Sequence, residues 1–427
     1  MSGDVSRPDR FRRRAVTPDE AVRRILERIR PLDAETVPLP EAWNRRLAEA
    51  VTAPHPYPPF RRSAMDGYAV RAEDLPDETG GSAEPAVLQV LETVPAGMVP
   101  HRPVGPGQAS RVMTGAMLPE GADTVVMLEM TDAGDRPDAE TVRIGKAVPK
   151  GRNVAEAGSE LQAGDLLAAE GCRIGPGETA LLSAFGLAGV RVVRRPRVGI
   201  LSTGSELLEV HEPLAPGKIR NTNAWMLAGS VSDAGGEPIL YGRVPDEPRE
   251  AYASILKGLA ECDLLITTGG VSVGDRDILT EIVSEWQGDV LFDKVAMRPG
   301  SPTTAAVRDG KLLLALSGNP GACFVGFHLF AAPAIRAMLK CGQPVPQTFQ
   351  ARTAEPFPKI NAYARYVRSR IEIREGTIWV RPTGNDQSGL MATIAGADSL
   401  MVVPPLKTGI EAGEWMTVLP LREGGWP

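Results

Sequence analysis

The chain has 427 residues, of which 43% are hydrophobic and 23% charged, and its formal net charge is −6. That length exceeds what one compact core can hold, so roughly two to four domains are expected. The composition is that of an ordinary globular protein, and the acidic balance argues against nucleic acid as a partner. The basic start (Arg10, Arg12, Arg13, Arg14) reads as a solvated arm. The cysteines (Cys172, Cys262, Cys323, Cys341) and histidines (His55, His101, His211, His328) are scattered, with no CxxC pair. Neither a zinc site nor a disulfide framework is expected, and a reducing cytoplasm fits. No apolar run reaches the roughly 18 residues of a membrane span, and no signal-peptide core is visible, so neither membrane nor export is expected.

Residues 17–31 predict an amphipathic helix. Thr17-Pro18-Asp19-Glu20 supplies a cap, a proline and a capping-box glutamate, and Val22, Ile25, Leu26 and Ile29 share one face. A second helix is expected near Glu41–Val51, ending in the proline-rich APHPYPPF. From about 55 to 150 short strands alternate with turns, most clearly Ala86–Val94 and Thr124–Leu128, as in a small β module. Strands and turns continue to 175, and a helix is read at Glu178–Phe185. From about 195 strands and helices alternate. Strands are read at Val198–Leu201, Ile239–Val244, Leu264–Thr268 and Leu313–Leu316, and helices at Asn223–Ala234, Pro248–Ala260 and Gly321–Leu339. This is a doubly wound α/β pattern. Two prolines in Gln343–Gln347 mark a linker, and the last ~80 residues alternate like a small antiparallel β domain.

The chemistry gathers at strand ends. TTGGVSVGDRD, Thr267–Asp277, follows the apolar Leu264-Leu265-Ile266 and feeds a helical pattern (Ile278, Leu279, Ile282, Val283). Glycines between a parallel strand and a helix are where α/β proteins place ligands. Gly269 and Gly270 allow close backbone approach to an anion, Ser272 adds a hydroxyl, and Asp275 and Asp277 could hold a metal. LSTGSEL, Leu201–Leu207, repeats the arrangement with Ser202, Thr203, Gly204 and Glu206, although Ser205 capping a helix explains it equally well. Lys218 and Arg220 in GKIRNTN are surface charges or anion holders. Asp246 in PDEP follows a strand, where a plain helix cap is the simpler reading. Arg298 in MRPGSP, and Asn319 and Pro320 in LSGNPGA, sit in glycine-proline turns. SAMDGYA (Ser63–Ala69) centres on Asp66-Gly67, which fits a type I′ hairpin turn. VMTGAMLPEGAD (Val112–Asp123) pairs Thr114 with Gly115. Each is weak alone; together they predict a multi-point site for a phosphorylated ligand.

Taken in order, these motifs resemble the molybdopterin molybdenumtransferase family (MoeA and the E domain of gephyrin) over about residues 15–425. The resemblance implies a multidomain α/β plus β fold. A discontinuous linker domain (15–55 and 148–190) carries an inserted small β module (56–147). A central doubly wound α/β, molybdopterin-binding-like domain (191–340) and a C-terminal β domain (346–425) follow. It implies insertion of molybdenum from molybdate into adenylylated molybdopterin with release of AMP, with Mg²⁺ as the cofactor. An elongated homodimer is implied, its site shared between the α/β domain of one subunit and the small module of the other. A molybdopterin adenylyltransferase would act upstream and molybdoenzyme maturation factors downstream.

The family's essential positions fall on Asp66, Thr114, Glu206, Asp246 and Asp277, with Glu206, Asp246 and Asp277 as metal ligands. Substrate binding is expected of Ser202, Thr203, Gly204, Thr268, Gly269, Gly270, Ser272, Asn319 and Pro320. Molybdate is expected at Lys294, Arg298, Ser301, Arg368 and Ser388. The chain departs from the family pattern at five positions. Ser301 replaces a lysine, Ser317 a proline and Ala322 a serine; Ala155 replaces an arginine, with Glu160 nearby for an aspartate. A pterin-binding scaffold without turnover is the rival reading. A pterin-adenylylating relative is a third, against which the flanking domains argue.

Overall fold

The computed structural model describes residues 14–76, 84–133, 136, 138–244, 247–269, 286–359, 362–405 and 409–422. The chain divides into two compact units. One comprises residues 1–49, 170–175 and 189–427, the other residues 50–169 and 176–188.

In the first unit, helix α1 (Pro18–Leu26) starts as expected: Thr17 is its N-cap, and its hydroxyl accepts from the Glu20 N–H at 3.2 Å. It stops earlier than predicted, because Pro31 lies too near to continue the ladder. The helix expected over Glu41–Val51 does not form. A single 3₁₀ turn covers Leu39–Glu41, and Asn44 then adopts φ 60°, which ends any helix. Beyond it the backbone pairs with distant segments instead, Leu47 N–H with Cys172 O and Ala48 N–H with Arg191 O. Tertiary pairing outweighs helix propensity here.

The second unit contains a five-stranded sheet, ordered Thr124–Met127, Gly67–Val70, Gln108–Val112, Ala86–Val94, Thr141–Ile144. Apolar side chains pack on both of its faces, with Tyr68, Val126 and Val142 on one and Ala69, Val112 and Val125 on the other. The Asp66-Gly67 hairpin turn is not there. Gly67 opens a strand, and a Cβ on it would lie 2.1 Å from Val126 O. The glycine serves close strand approach rather than a turn. Helix α2 (Pro176–Ala184), read from the sequence at Glu178–Phe185, belongs to this unit.

The α/β sheet of the first unit is six-stranded. Its order is Glu237–Val244, Arg197–Thr203, Leu264–Thr268, Lys311–Leu316, Thr304–Arg308, Asp289–Phe292. The first four strands are parallel and the last two run antiparallel at the edge. Side chains alternate across it. Ile200, Ile266 and Leu314 meet α1, helix α3 (Thr222–Asp233) and helix α5 (Pro320–Met338) on one face. Leu201, Leu265 and Leu313 meet Ala251, Ile255 and Leu259 of helix α4 (Pro248–Glu261) on the other. Covering both faces explains the unbroken apolar runs. By length and composition α5 could cross a membrane, yet 89% of it is buried inside this core.

The C-terminal strands form a sheet ordered Met297–Arg298, Ala364–Arg374, Thr377–Pro382, Phe349–Thr353, Trp415–Pro420, Ser399–Val403. Ala364–Arg374 also pairs with Ser399–Val403, which closes it as a barrel. The barrel is not purely antiparallel as expected, since Phe349–Thr353 runs parallel to Thr377–Pro382.

Candidate active site

The chain leaves the Arg197–Thr203 strand, crosses through α3 to one side, then returns through α4 to Leu264–Thr268 on the other. The order therefore reverses between these two strands, and a crevice opens beyond their carboxyl ends. Ser202, Thr203, Thr268 and Gly269 stand there. Ser202 Oγ lies 3.1 Å from Asn221 Oδ1, and Asn221 caps α3 by accepting from the Ala224 N–H. Gly269 has φ 94°, and a Cβ on it would lie 2.4 Å from Thr203 O. The two strand ends touch through that glycine.

Asn223, which sequence reasoning passed over, ties the crevice together. Its buried Nδ2 donates to Thr268 Oγ1 and to Gly318 O, both at 2.8 Å. Thr268 Oγ1 in turn donates to Ser317 O at 3.3 Å. Asn223 Oδ1 and Thr203 Oγ1 are buried without a hydrogen-bond partner, and such groups are rare unless a ligand completes them. A usable signal was the Asn-x-Asn at the start of α3, one asparagine for the cap and one to spare. Lys218 and Arg220, by contrast, are spent locally. Lys218 Nζ donates to Ser205 O at 2.5 Å, and Arg220 Nε donates to Val210 O at 3.1 Å. They hold the 204–212 loop rather than an anion.

A second cluster forms at the N-terminus of α5. Asn319 precedes Pro320, and the Gly321 N–H donates to Ser388 O at 2.8 Å. Arg368, only 1% exposed, donates from Nε to Thr393 Oγ1 at 2.9 Å and from Nη2 to Gln387 O at 3.1 Å. Its Nη1 is buried without a hydrogen-bond partner and packs on Gly321, where a Cβ would lie 2.3 Å away. Burial pulls the Arg368 pKa below its usual value and Asp386 opposes this; the group stays cationic. Asp386 pairs with Lys359 and Arg365, which secures the loop that carries Ser388. Arg298 is exposed, and the largely buried turn after it lies close, since the Gly300 Cβ position is 3.4 Å from Ala322 O. Lys294 is half-buried. Ser301 is buried and its hydroxyl donates to Val295 O at 2.6 Å, so it presents no proton to an anion in this arrangement.

In the other unit, Asp66 accepts from the Thr114 N–H at 2.6 Å and from its hydroxyl at 2.8 Å. These bonds, with Arg111 nearby, hold the Asp66 carboxyl below the usual carboxylate range. Two of the departures are also explained there. Glu160 pairs with Arg62 at 3.2 Å, and Ala155 sits in a short ladder opposite Arg62. In the first unit, Ser317 Oγ accepts from the Asn319 N–H at 3.3 Å. Glu206 is exposed beside Gly204, with no hydrogen bond or ion pair to its carboxylate among the described residues. Asp246, Gly270, Ser272, Asp275 and Asp277 lie outside the described residues. No group of three or more His, Cys, Asp or Glu side chains suited to a metal occurs among the described ones.

A switch-point crevice with orphaned polar atoms, beside a buried arginine at a helix start, defines a ligand-binding α/β protein of the molybdopterin-binding class. Residues 16–186 match the MoeA N-terminal region (domain I and II), 199–337 the probable molybdopterin binding domain, and 350–421 the MoeA C-terminal region (domain IV). A molybdopterin molybdenumtransferase of Bacillus subtilis is 42% identical over 97% of both chains. One of Staphylococcus epidermidis is 38% identical over 96% of both. The crystal structure of a molybdopterin biosynthesis MoeA protein from Pyrococcus horikoshii superposes with a TM-score of 0.81 at 30% identity, covering 97% of this chain and all of the other. The chain belongs to the molybdopterin molybdenumtransferase family, an enzyme family of molybdenum cofactor biosynthesis.

Proposed function

We propose that the chain performs the metal-insertion step itself, taking adenylylated molybdopterin and molybdate and releasing AMP. The observation that carries this reading is Arg368. A buried guanidinium with a free Nη1, next to a helix N-terminus, is a prepared seat for an oxyanion. Molybdate would take Arg368 and Ser388, with Lys294 and Arg298 at the rim. Ser301 leaves the set expected from the resemblance and orders its turn instead. The pterin nucleotide would lie along Ser202, Thr203, Gly204, Thr268, Gly269, Asn319 and Pro320, completing Thr203 Oγ1 and Asn223 Oδ1; Gly270 and Ser272 would extend that wall.

Mg²⁺ fits the one described carboxylate of its expected set. Glu206 offers oxygens engaged by no described residue, and oxygen is what Mg²⁺ takes, with Asp246 and Asp277 as its further ligands. When bound, the ion would polarise the phosphoanhydride and stabilise the leaving AMP. Asp66, kept ionised by Thr114, would be a fixed negative group of the reaction. The homodimer, the four-domain division and the neighbouring pathway enzymes given above are carried into this proposal as what the family resemblance implies.

The test supplies adenylylated molybdopterin, Mg²⁺ and molybdate to the purified protein and follows AMP and active cofactor. Stoichiometric AMP release that requires molybdate is expected. Pterin binding without AMP release, at molybdate concentrations that saturate the Bacillus subtilis relative, refutes the catalytic reading in favour of the scaffold.

A further inference from the structure

We propose that Asn223 is the specificity-determining residue of the crevice: its Oδ1 accepts from an amine on the edge of the ligand's heterocycle, so that the crevice floor takes a base and turns phosphate away. This rests on the crevice being the ligand site, as proposed above. The Asn223 amide has one possible orientation. Gly318 O can only accept, so the atom 2.8 Å from it is Nδ2, and the same Nδ2 donates to Thr268 Oγ1 at 2.8 Å. Oδ1 is therefore left as an acceptor. The residue is 7% exposed, and this oxygen has no hydrogen-bond partner among the described residues. A buried acceptor left open costs stability until a donor reaches it.

The floor around it is short of donors. Thr268 Oγ1 donates to Ser317 O at 3.3 Å, and Ser202 Oγ donates to Asn221 Oδ1 at 3.1 Å. The Gly269 N–H is spent on Leu316 O at 3.2 Å, and the Asn319 N–H on Ser317 Oγ at 3.3 Å. Of the Ser202, Thr203 and Thr268 hydroxyls, only Thr203 Oγ1 has no partner among the described residues, and it lies against Gly269. Gly269 in turn approaches Gly318, whose Cβ position is 3.3 Å from Gly269 Cα. Two facing glycines leave bare backbone against which a flat ring can lie. A phosphate oxygen only accepts and would oppose Asn223 Oδ1. An exocyclic amine donates to it, with the Thr203 hydroxyl free to bond the neighbouring ring nitrogen. Adenylylated molybdopterin carries such an amine on its adenine and another on its pterin.

AMP is compared with IMP, and 6-hydroxymethylpterin with 6-hydroxymethyl-lumazine; the second of each pair carries oxygen in place of the amine. Binding to the intact protein is measured by calorimetry. An amine-bearing probe is expected to bind at least about tenfold more tightly than its oxo counterpart. In N223A that ratio is expected to fall to about one, because the discriminating acceptor is gone. The pair whose ratio collapses identifies the edge that Asn223 reads, adenine or pterin. A purely structural role for Asn223 would weaken both members of a pair alike. An amine preference that survives in N223A therefore overturns the proposal, as does a parent ratio near one in both pairs, or binding of none of the four probes. The parent comparison needs no variant, so it stays decisive if N223A does not fold. AMP release is measured separately: an Asn223-dependent amine preference in a protein that releases no AMP sinks the insertion reading and keeps this one.

Discussion

Replacing Gly269 by alanine isolates what holds the crevice open. Two costs add. The residue has φ 94°, a region that costs an L-residue roughly 1–2 kcal/mol. The new Cβ would also lie 2.4 Å from Thr203 O and 2.8 Å from Thr203 Oγ1, inside the 3.0 Å that real Cβ contacts respect. The nearer of these atoms is strand backbone rather than the end of a flexible side chain, so the strands must part. Such overpacking costs about 1–3 kcal/mol, giving roughly 2–5 kcal/mol together. Gly310 provides the control, with φ 74° and nothing within 4 Å of its Cβ position. G310A should lose only the conformational part, about 1–2 kcal/mol. Urea titration of both variants measures the difference, and AMP release measures the displacement. A shift of about 1 Å at reacting groups costs on the order of a hundredfold in rate, so G269A should be nearly inactive and G310A close to normal. Equal stability losses, or normal AMP release by G269A, would refute the argument that close approach of these strands shapes the site.

Thr114→Val removes one of the two donors that hold Asp66 down, so its carboxyl should titrate at higher pH. The sign follows from the lowered value: the stabilisation is complete above the ordinary carboxylate range and is lost as pH falls through the Asp66 pKa. A carbon NMR titration of Asp66 that is the same in T114V and the parent would exclude the hydroxyl as a cause. Asp263→Asn should destabilise the α/β sheet. Burial raises the Asp263 carboxyl, but two 2.7 Å bonds from Arg194, the Arg197 N–H and Lys311 outweigh it and leave it low. Breaking a buried pair of this kind costs about 3–5 kcal/mol, and the parent should lose that advantage only as pH falls below the carboxylate range. A urea midpoint for D263N within error of the parent at neutral pH would contradict this.

The sheet was legible because its strands are covered on both faces. Continuous apolar runs such as Leu264-Leu265-Ile266, followed by glycine, mark buried parallel strands wherever they occur. Helices α3, α4 and α5 were legible for a related reason, since their caps and prolines are local. The edge strands Asp289–Phe292 and Thr304–Arg308 carried no such signal, because their partners lie elsewhere in the chain. The false helix at Glu41–Val51 failed for the same cause: its backbone donors are taken by Cys172 and Arg191, far away in sequence.

The site divides along the same line. Residue type marked Thr203, Gly269 and Asn319, because hydroxyls, glycines and amides gathered at strand ends can be read from the sequence, whereas Arg368 entered only through the family resemblance. Their roles were decided by the fold. Asn223 became the central tie only when α3 was laid across Thr268 and Gly318. Lys218, Arg220 and Ser301 were withdrawn from anion binding by carbonyls that the sequence does not place beside them. The chain by itself determined which segments are buried and which local turns are possible, since these depend on neighbours a few residues apart. Which polar atoms remain unpaired, such as Arg368 Nη1, was decided by tertiary structure alone, because pairing is settled between residues that only folding brings together.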